Sequence, residues 1–374
     1  MSEYLKTWVE INRSAIKKNY RTFRNILSPG IKLMAVVKSN AYGHGLAHFA
    51  KEISKLGADF LAVDDIDEAL ILRKSGIKKP ILVFGYVPDS FIKEASLKNI
   101  SLTISNFDFL RKIIKTKLIK KIKIHIEVDT GLGRQGFLGK DLPAVLVLIK
   151  KSKNIEIEGL YTHFAIAENP KFFSYTKKQI ENFKIWIQAF RQNSFKPIAH
   201  SSASAETMRS SEFHFDMVRV GISMYGLFPS KEIKKYVKTK IELEPVLFWK
   251  TIVSEIKKLP KGHNIGYDLT ETLKRDSIIG ICPIGYWHGY PRALSGKGEV
   301  LVRGKRAKVL GRVSMDMITV DLTEIKGAKR GDEAVLIGQS KNKRITAEEV
   351  ANQAETINYE IVTRINTEIM RIYK

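Results

Sequence analysis

The chain has 374 residues, with hydrophobic content of 44% and charged content of 27%, the balance of a soluble globular protein long enough for two domains. No apolar run reaches membrane-spanning length, Met1-Ser2-Glu3-Tyr4 opens no signal peptide, and the single cysteine, Cys282, excludes an internal disulfide framework and fits a reducing cytoplasm. The formal net charge of +24 raises a nucleic-acid partner, because basic patches release counterions from phosphates. Most of the excess is lysine scattered along the whole chain, however. The densest run, Arg111–Lys123, interleaves Ile and Leu at the spacing of one amphipathic helix with a solvated face. Neither a nucleic-acid nor a membrane partner is expected.

After a helix expected at Arg13–Leu27, the first two-thirds alternates short apolar runs with amphipathic stretches. The runs are Leu33–Val37, Phe60–Val63, Ile81–Phe84, Ser101–Ile104, Lys123–Val128, Ile157–Thr162, Pro197–His200 and Met217–Val220. Helical patterns lie between them at Leu46–Leu56, Asp65–Lys74, Leu110–Leu118, Leu142–Lys151 and Tyr175–Gln192. Strands alternating with helices imply right-handed crossovers and a parallel sheet, and eight repeats imply an α/β fold closed as a (β/α)8 barrel. Near Glu242 the pattern turns β-rich, through Val246–Lys258, Ser277–Ile284, Gly298–Leu310, Ser314–Leu322 and Glu333–Gly338. A single helix is expected at Ala347–Glu355, entered by the capping box of Thr346 and Glu349. The expected organisation is a barrel over residues 1–235 followed by an all-β domain over residues 236–374.

Chemistry in this fold gathers at the carboxyl ends of the strands. Lys38 ends the first strand, where Leu33–Val37 meets the Gly-punctuated loop Ser39–Gly45, and a desolvated amine there suits a Schiff base. Asp129 to Arg134 follow the fifth strand, His163 ends the sixth, Ser204 follows the seventh, and Arg219 lies in the eighth before Val220-Gly221-Ile222-Ser223. Gly221 lets an anion approach backbone N–H groups at a helix start. A Schiff-base lysine facing a phosphate cradle inside a barrel points to pyridoxal phosphate (PLP). The reading includes no metal.

Ala35-Val36-Val37-Lys38 with Asn40-Ala41-Tyr42-Gly43-His44-Gly45 resembles the PLP-attachment motif of alanine racemases. Val128–Arg134, Tyr161–Phe164, Met217–Ile222 with Tyr225-Gly226, Ile265-Gly266-Tyr267, Gly285–Arg292, Gly311–Asp316 and Ile357–Glu360 match the family in order along nearly the whole chain. The resemblance implies that Lys38 holds PLP and acts as one base on the substrate Cα. Tyr267, supplied by the partner subunit of a homodimer, would serve the opposite face, since one group cannot readily deliver a proton to both. Arg219 would face the pyridine nitrogen; a guanidinium keeps its proton, which leaves that nitrogen largely unprotonated and suits racemisation over transamination. His163 would pack on the ring, with Ser204, Tyr42, Tyr359 and the amides of Gly221 and Ile222 around the phosphate. Arg134 would reach the ring hydroxyl and the substrate carboxylate, and Met315 and Asp316 would line the substrate site. The implied activity is interconversion of L- and D-alanine, a small-molecule amino-acid substrate, supplying D-alanine for peptidoglycan.

Some positions depart from the family pattern. Glu127 stands where many members carry a carbamylated lysine, and is expected to supply that negative charge to Arg134 directly. By strand alternation Lys123, His125, Glu127 and Asp129 share the face toward the barrel interior. Trp287, His288, Ala203, Ser314 and Asp268 replace the usual residues and bear on the shape of the substrate entrance. A related barrel PLP decarboxylase resembles this family in architecture, but its glycine-rich phosphate loop is not evident here, whereas the Tyr267 and Met315-Asp316 motifs are; a single-barrel PLP carrier lacks the β-rich tail that bears Tyr267.

Overall fold

The computed structural model describes residues 5–166, 169, 172–237 and 240–374; the opening Met1–Tyr4, on which the expectation of no signal peptide rests, lies outside them. The chain divides into two compact units. One comprises Ser14–Ala41 and Leu46–Pro245, the other Met1–Arg13, Tyr42–Gly45 and Val246–Lys374.

Strand β1 (Thr7–Ile11) belongs to the second unit. The barrel strands follow: β2 (Lys32–Val36), β3 (Phe60–Val63), β4 (Ile81–Val83), β5 (Ile100–Ile104), β6 (Ile122–Val128), β7 (Ile155–Thr162), β8 (Ile198–His200) and β9 (Met217–Val220). They close in chain order, all parallel, with β2 pairing β9 so that Met34 lies opposite Arg219. Runs of Val, Ile and Leu buried on both faces are what an enclosed parallel sheet demands: β3, β4 and β5 are buried throughout.

The helices between them start where a side chain satisfies an orphan N–H. Asp65 accepts from Glu68 N, and Asn106 from Phe109 N. The run Arg111–Lys123 is not one helix. The helix capped by Asn106 spans Phe107–Lys115 and ends at Thr116, while Ile122 and Lys123 already lie in β6. The period-2 alternation of Ile122, Ile124 and Ile126 prevails there over the charge pattern.

Among the described residues, the second unit carries a 10-stranded sheet and a separate two-stranded hairpin. Its other strands include β10 (Leu247–Ile252), β11 (Glu255–Leu259), a small hairpin of β12 (Asn264–Ile265) and β13 (Glu271–Thr272), β14 (Ser277–Cys282), β15 (Glu299–Val302), β16 (Lys305–Leu310) and β17 (Ile318–Asp321). Then come β18 (Glu333–Ser340), β19 (Lys343–Ile345) and β20 (Met370–Tyr373). The first strand of the chain pairs antiparallel with β10, Thr7 opposite Thr251, and parallel with β20, Trp8 opposite Met370. The sequence reading grouped β1 with the barrel; its hydrogen bonds run instead to strands more than two hundred residues away.

Thr346 caps the helix Ala347–Gln353 by accepting from Glu349 N. That helix is not single: Asn358–Thr363 forms a second one. Among the described residues, no helix is long and apolar enough to cross a membrane.

Candidate active site

Lys38 lies just past β2, and its Nζ sits 2.8 Å from Asp64 Oδ1, beyond β3. The four residues after it, Ser39, Asn40, Ala41 and Tyr42, all take left-handed backbone, with φ of 54°, 55°, 52° and 51°. That conformation costs an L-residue roughly 1–2 kcal/mol, so something must hold it. Glu68 does: one carboxylate oxygen accepts from Asn40 N at 2.8 Å and the other from Asp64 N at 3.2 Å. Asn40 Oδ1 in turn accepts from Leu46 N. Burial raises the Glu68 pKa despite these N–H donors. A single carboxylate thus grips both the turn that bears Lys38 and the residue that pairs with its amine. Neither Asp64 nor Glu68 was singled out from the sequence; the acid–three–acid spacing of a helix start was the available signal.

The ends of β8 and β9 supply the proposed cradle. Ser204 opens the helix Ser204–Arg209, and its Oγ accepts from Gly221 N at 3.0 Å and from Ser223 N at 3.5 Å. The 3-10 turn Ile222–Tyr225 follows and closes at Gly226, where φ is 81°. A Cβ on Gly226 would lie 1.9 Å from Glu244 O. Gly226→Ala is therefore expected to lower stability by more than the ~1 kcal/mol of an ordinary left-handed Gly→Ala change; thermal unfolding measures it.

Arg219 is buried beneath this cradle. It donates to His200 Nδ1 at 2.9 Å, to Thr162 O at 2.9 Å, to Ser201 O at 2.8 Å and to His163 Nδ1 at 3.3 Å. Burial, with the Arg219 charge next, brings the His163 pKa down to about 3, so its ring is neutral. A hydroxyl and main-chain N–H groups for a phosphate, an amine for an aldehyde, and a buried guanidinium for a ring nitrogen form a donor set that fits PLP.

Asp129 builds the loop after β6 by accepting from Gly131, Leu132 and Gly133 N, and this leaves Arg134 exposed. Glu127 does point into the barrel, but its hydrogen bonds come from Tyr161 OH at 2.9 Å and Gln135 Nε2 at 2.5 Å rather than from Arg134. Burial raises its pKa to about 7 despite these donors and the charges of Arg134 and Arg219. A raised carboxyl pKa favours the protonated folded state; the stability this contributes is present below the ordinary 4.5 and is lost as pH rises through about 7. Glu127→Gln, which keeps the neutral shape, is expected to raise the melting temperature at pH 8.5 and leave it nearly unchanged at pH 5. The difference corresponds to about 3 kcal/mol. Equal shifts at both pH values would refute this assignment.

In the β-rich unit the Tyr42 and Tyr359 ring centroids lie 6.2 Å apart. Tyr267 opens a turn after Gly266, where φ is 76°, and is 66% exposed. Arg312 Nε lies 3.5 Å from Asp268 Oδ2 in the same turn. Met315 and Asp316 sit on the neighbouring loop, exposed, and the Met315 carbonyl accepts from Trp287 N at 3.0 Å. His288, by contrast, is buried and accepts from Gly285 N through Nδ1. It closes its own turn, whereas Trp287 stays exposed.

The barrel, the lysine at its mouth and the donor set above define the class: a PLP-dependent enzyme on a (β/α)8 barrel with an all-β second domain. Residues 11–229 match the family model of the alanine racemase N-terminal domain, and residues 246–373 that of the alanine racemase C-terminal domain. The chain is 41% identical to the alanine racemase of Methanococcus maripaludis, over 98% of each chain. It is 39% identical to alanine racemase 2 of Bacillus subtilis, over 98% of this chain and 94% of that one. The crystal structure of alanine racemase from Bacillus anthracis with bound L-Ala-P superimposes with a TM-score of 0.93 at 38% identity, covering 99% of this chain and 95% of the other. The chain belongs to the alanine racemase family and is a PLP-dependent amino-acid racemase.

Proposed function

We propose that this racemase interconverts L- and D-alanine by a two-base mechanism in a homodimer with shared active sites. The observation that carries the reading is Lys38, an amine at the carboxyl end of a barrel strand, on the strand adjoining buried Arg219. Bound PLP draws electron density from the substrate Cα and makes its proton labile. Lys38 is both the attachment point and the base on one face of that carbon. Tyr267 of the partner subunit is the base on the other. A phenol with an ordinary pKa of about 10 serves as a base only beside positive charge.

Arg219 would meet the ring nitrogen and would keep its own proton there, because a guanidinium does not give one up. His163, neutral, would serve the ring. Ser204 Oγ, the Gly221 and Ile222 amides, Tyr42 and Tyr359 would hold the phosphate. Arg134 orients the substrate carboxylate, with Met315 and Asp316 of the partner subunit lining the site. Exposed Leu269, Tyr286, Trp287 and Met317, on Tyr267's turn and the Met315 and Trp287 loops, supply the apolar surface that an association between protomers covers. The product supplies D-alanine to peptidoglycan synthesis in the cytoplasm.

Chiral analysis of the enzyme incubated with PLP and L-alanine, and separately with L-serine, tests the reading, with sedimentation analysis alongside. D-alanine formed faster than D-serine by a dimeric species is the expected result. A faster serine reaction, or an active monomer, would overturn the substrate or the shared site respectively.

A further inference from the structure

The barrel interior holds a polar chain leading to Arg219 whose other members the proposed reaction does not use. It begins with an irregularity. Along β6 and β7 the register shifts between Ile124, opposite Ile157, and His125, opposite Gly159. Glu158 is the extra residue, and a bulge re-aims a side chain. Its carboxylate turns inward, with one oxygen 2.9 Å from Lys123 Nζ and the other 2.5 Å from Ser101 Oγ and 3.2 Å from His125 Nε2. A Cβ on Gly159 would fall 2.0 Å from His125 Nδ1, so glycine alone leaves room for the imidazole.

The direction of every proton in this chain follows from its two ends. Arg219 only donates, so His200 Nδ1, 2.9 Å away, accepts. Burial, then the Arg219 charge, keeps His200 neutral, and its one proton must sit on Nε2. That atom lies 2.8 Å from His125 Nδ1 and donates to it. His125 therefore carries its proton on Nε2 and donates to Glu158. The order is Arg219 to His200 to His125 to Glu158, with a cation at one end and an anion at the other.

Arg219 needs such a partner. Its four hydrogen-bond acceptors are two imidazoles and two main-chain carbonyls, and a buried cation without compensating charge is costly. Of the carboxyls nearest it, Glu127 and Glu206 are both shifted by burial toward their neutral forms. Burial opposes the charge of Glu158 too, but hydrogen bonds from His125, Ser101 and the Lys123 ammonium overcome it and hold its pKa below the ordinary carboxylate value.

We propose that Glu158 is the remote counter-ion of Arg219, coupled to it through His125 and His200, and so a positioning residue for the guanidinium at the barrel mouth. This deepens the reading of Arg219 given above and rests on it for its effect on turnover, although the chain itself stands without it.

The test uses the purified enzyme, labelled with nitrogen-15 in histidine. Long-range proton–nitrogen spectra of the wild type are expected to show both His125 and His200 with the proton on Nε2, the tautomer that the donor order requires. Either ring found as the Nδ1–H tautomer overturns the chain, with no variant required. Glu158→Gln keeps an acceptor but removes the charge. It is expected to shift the His125 and His200 signals together and to lower kcat about tenfold with KM within about twofold. Ser101→Ala removes one bond to Glu158 but not its charge, and is expected to retain wild-type kcat. Unchanged histidine signals in Glu158→Gln, or equal losses in both variants, would overturn the counter-ion role. Expected tautomers in an enzyme that does not racemise alanine would leave the chain intact and refute the proposed function alone.

Discussion

Lys38→Ala is expected to abolish racemisation of alanine and to weaken retention of PLP on gel filtration, while leaving the fold in place. On the proposed mechanism two contributions vanish together: the covalent anchor and the base on one face of Cα. A positioned base alone is worth about 10²–10⁴-fold, and loss of the attachment point adds to it. The cost to stability is small, because the Lys38 pair with Asp64 is solvent-accessible on both sides, at 37% and 50% exposure, and such pairs contribute about 0–1 kcal/mol. Chiral chromatography and the melting temperature, measured on the same preparation, separate the two effects. D-alanine formation at a substantial fraction of the wild-type rate would remove Lys38 from the reaction.

Tyr267→Phe is expected to lower turnover in both directions by about 10²–10⁴-fold, the usual contribution of one positioned acid–base group. Its ring is 66% exposed, so the hydroxyl can be removed without opening a core. The more informative experiment mixes inactive Lys38→Ala and Tyr267→Phe chains. If sites are shared across a two-fold dimer, half of the randomly mixed dimers are hybrids, and each hybrid rebuilds one of its two sites. About a quarter of wild-type activity should return. Recovery of nothing after confirmed subunit exchange would place both bases in one chain.

The barrel was legible because its strands are short apolar or alternating runs of strand length, and Phe60–Val63 and Met217–Val220 keep the same limits in the structure. What the sequence hid was non-local. β1 reads as part of the barrel's opening until Thr7 is found opposite Thr251 and Trp8 opposite Met370. No local signal encodes such pairings.

Lys38, Ser204 and Arg219 could be located because chemistry in a barrel concentrates at strand ends. The residues that hold them were missed for a different reason. Glu68 acts through main-chain N–H groups of a left-handed turn, and Glu158 through a bulge that turns it inward. A carboxylate next to glycine, Glu158-Gly159 in Ile155–Thr162, was the trace of the second. Glu127 illustrates the limit of analogy. Its position suggested a partner for Arg134, but its actual donors, Tyr161 and Gln135, depend on a neighbouring strand and on the loop that follows.

The pairing of β1 with both β10 and β20 has a bearing on how the molecule comes into being. On the ribosome the barrel can close as soon as Met217–Val220 emerges, since all eight of its strands then exist. Strand β1, made before the barrel, must meanwhile wait, unpartnered, for Leu247–Ile252 and then for Met370–Tyr373. Its apolar residues, Trp8, Val9 and Ile11, end up buried, so until then they are a sticky edge of the kind chaperones engage. Destabilising changes in β20 are therefore expected to show first as lower yield of soluble protein from cells, ahead of any change in the finished enzyme's catalysis.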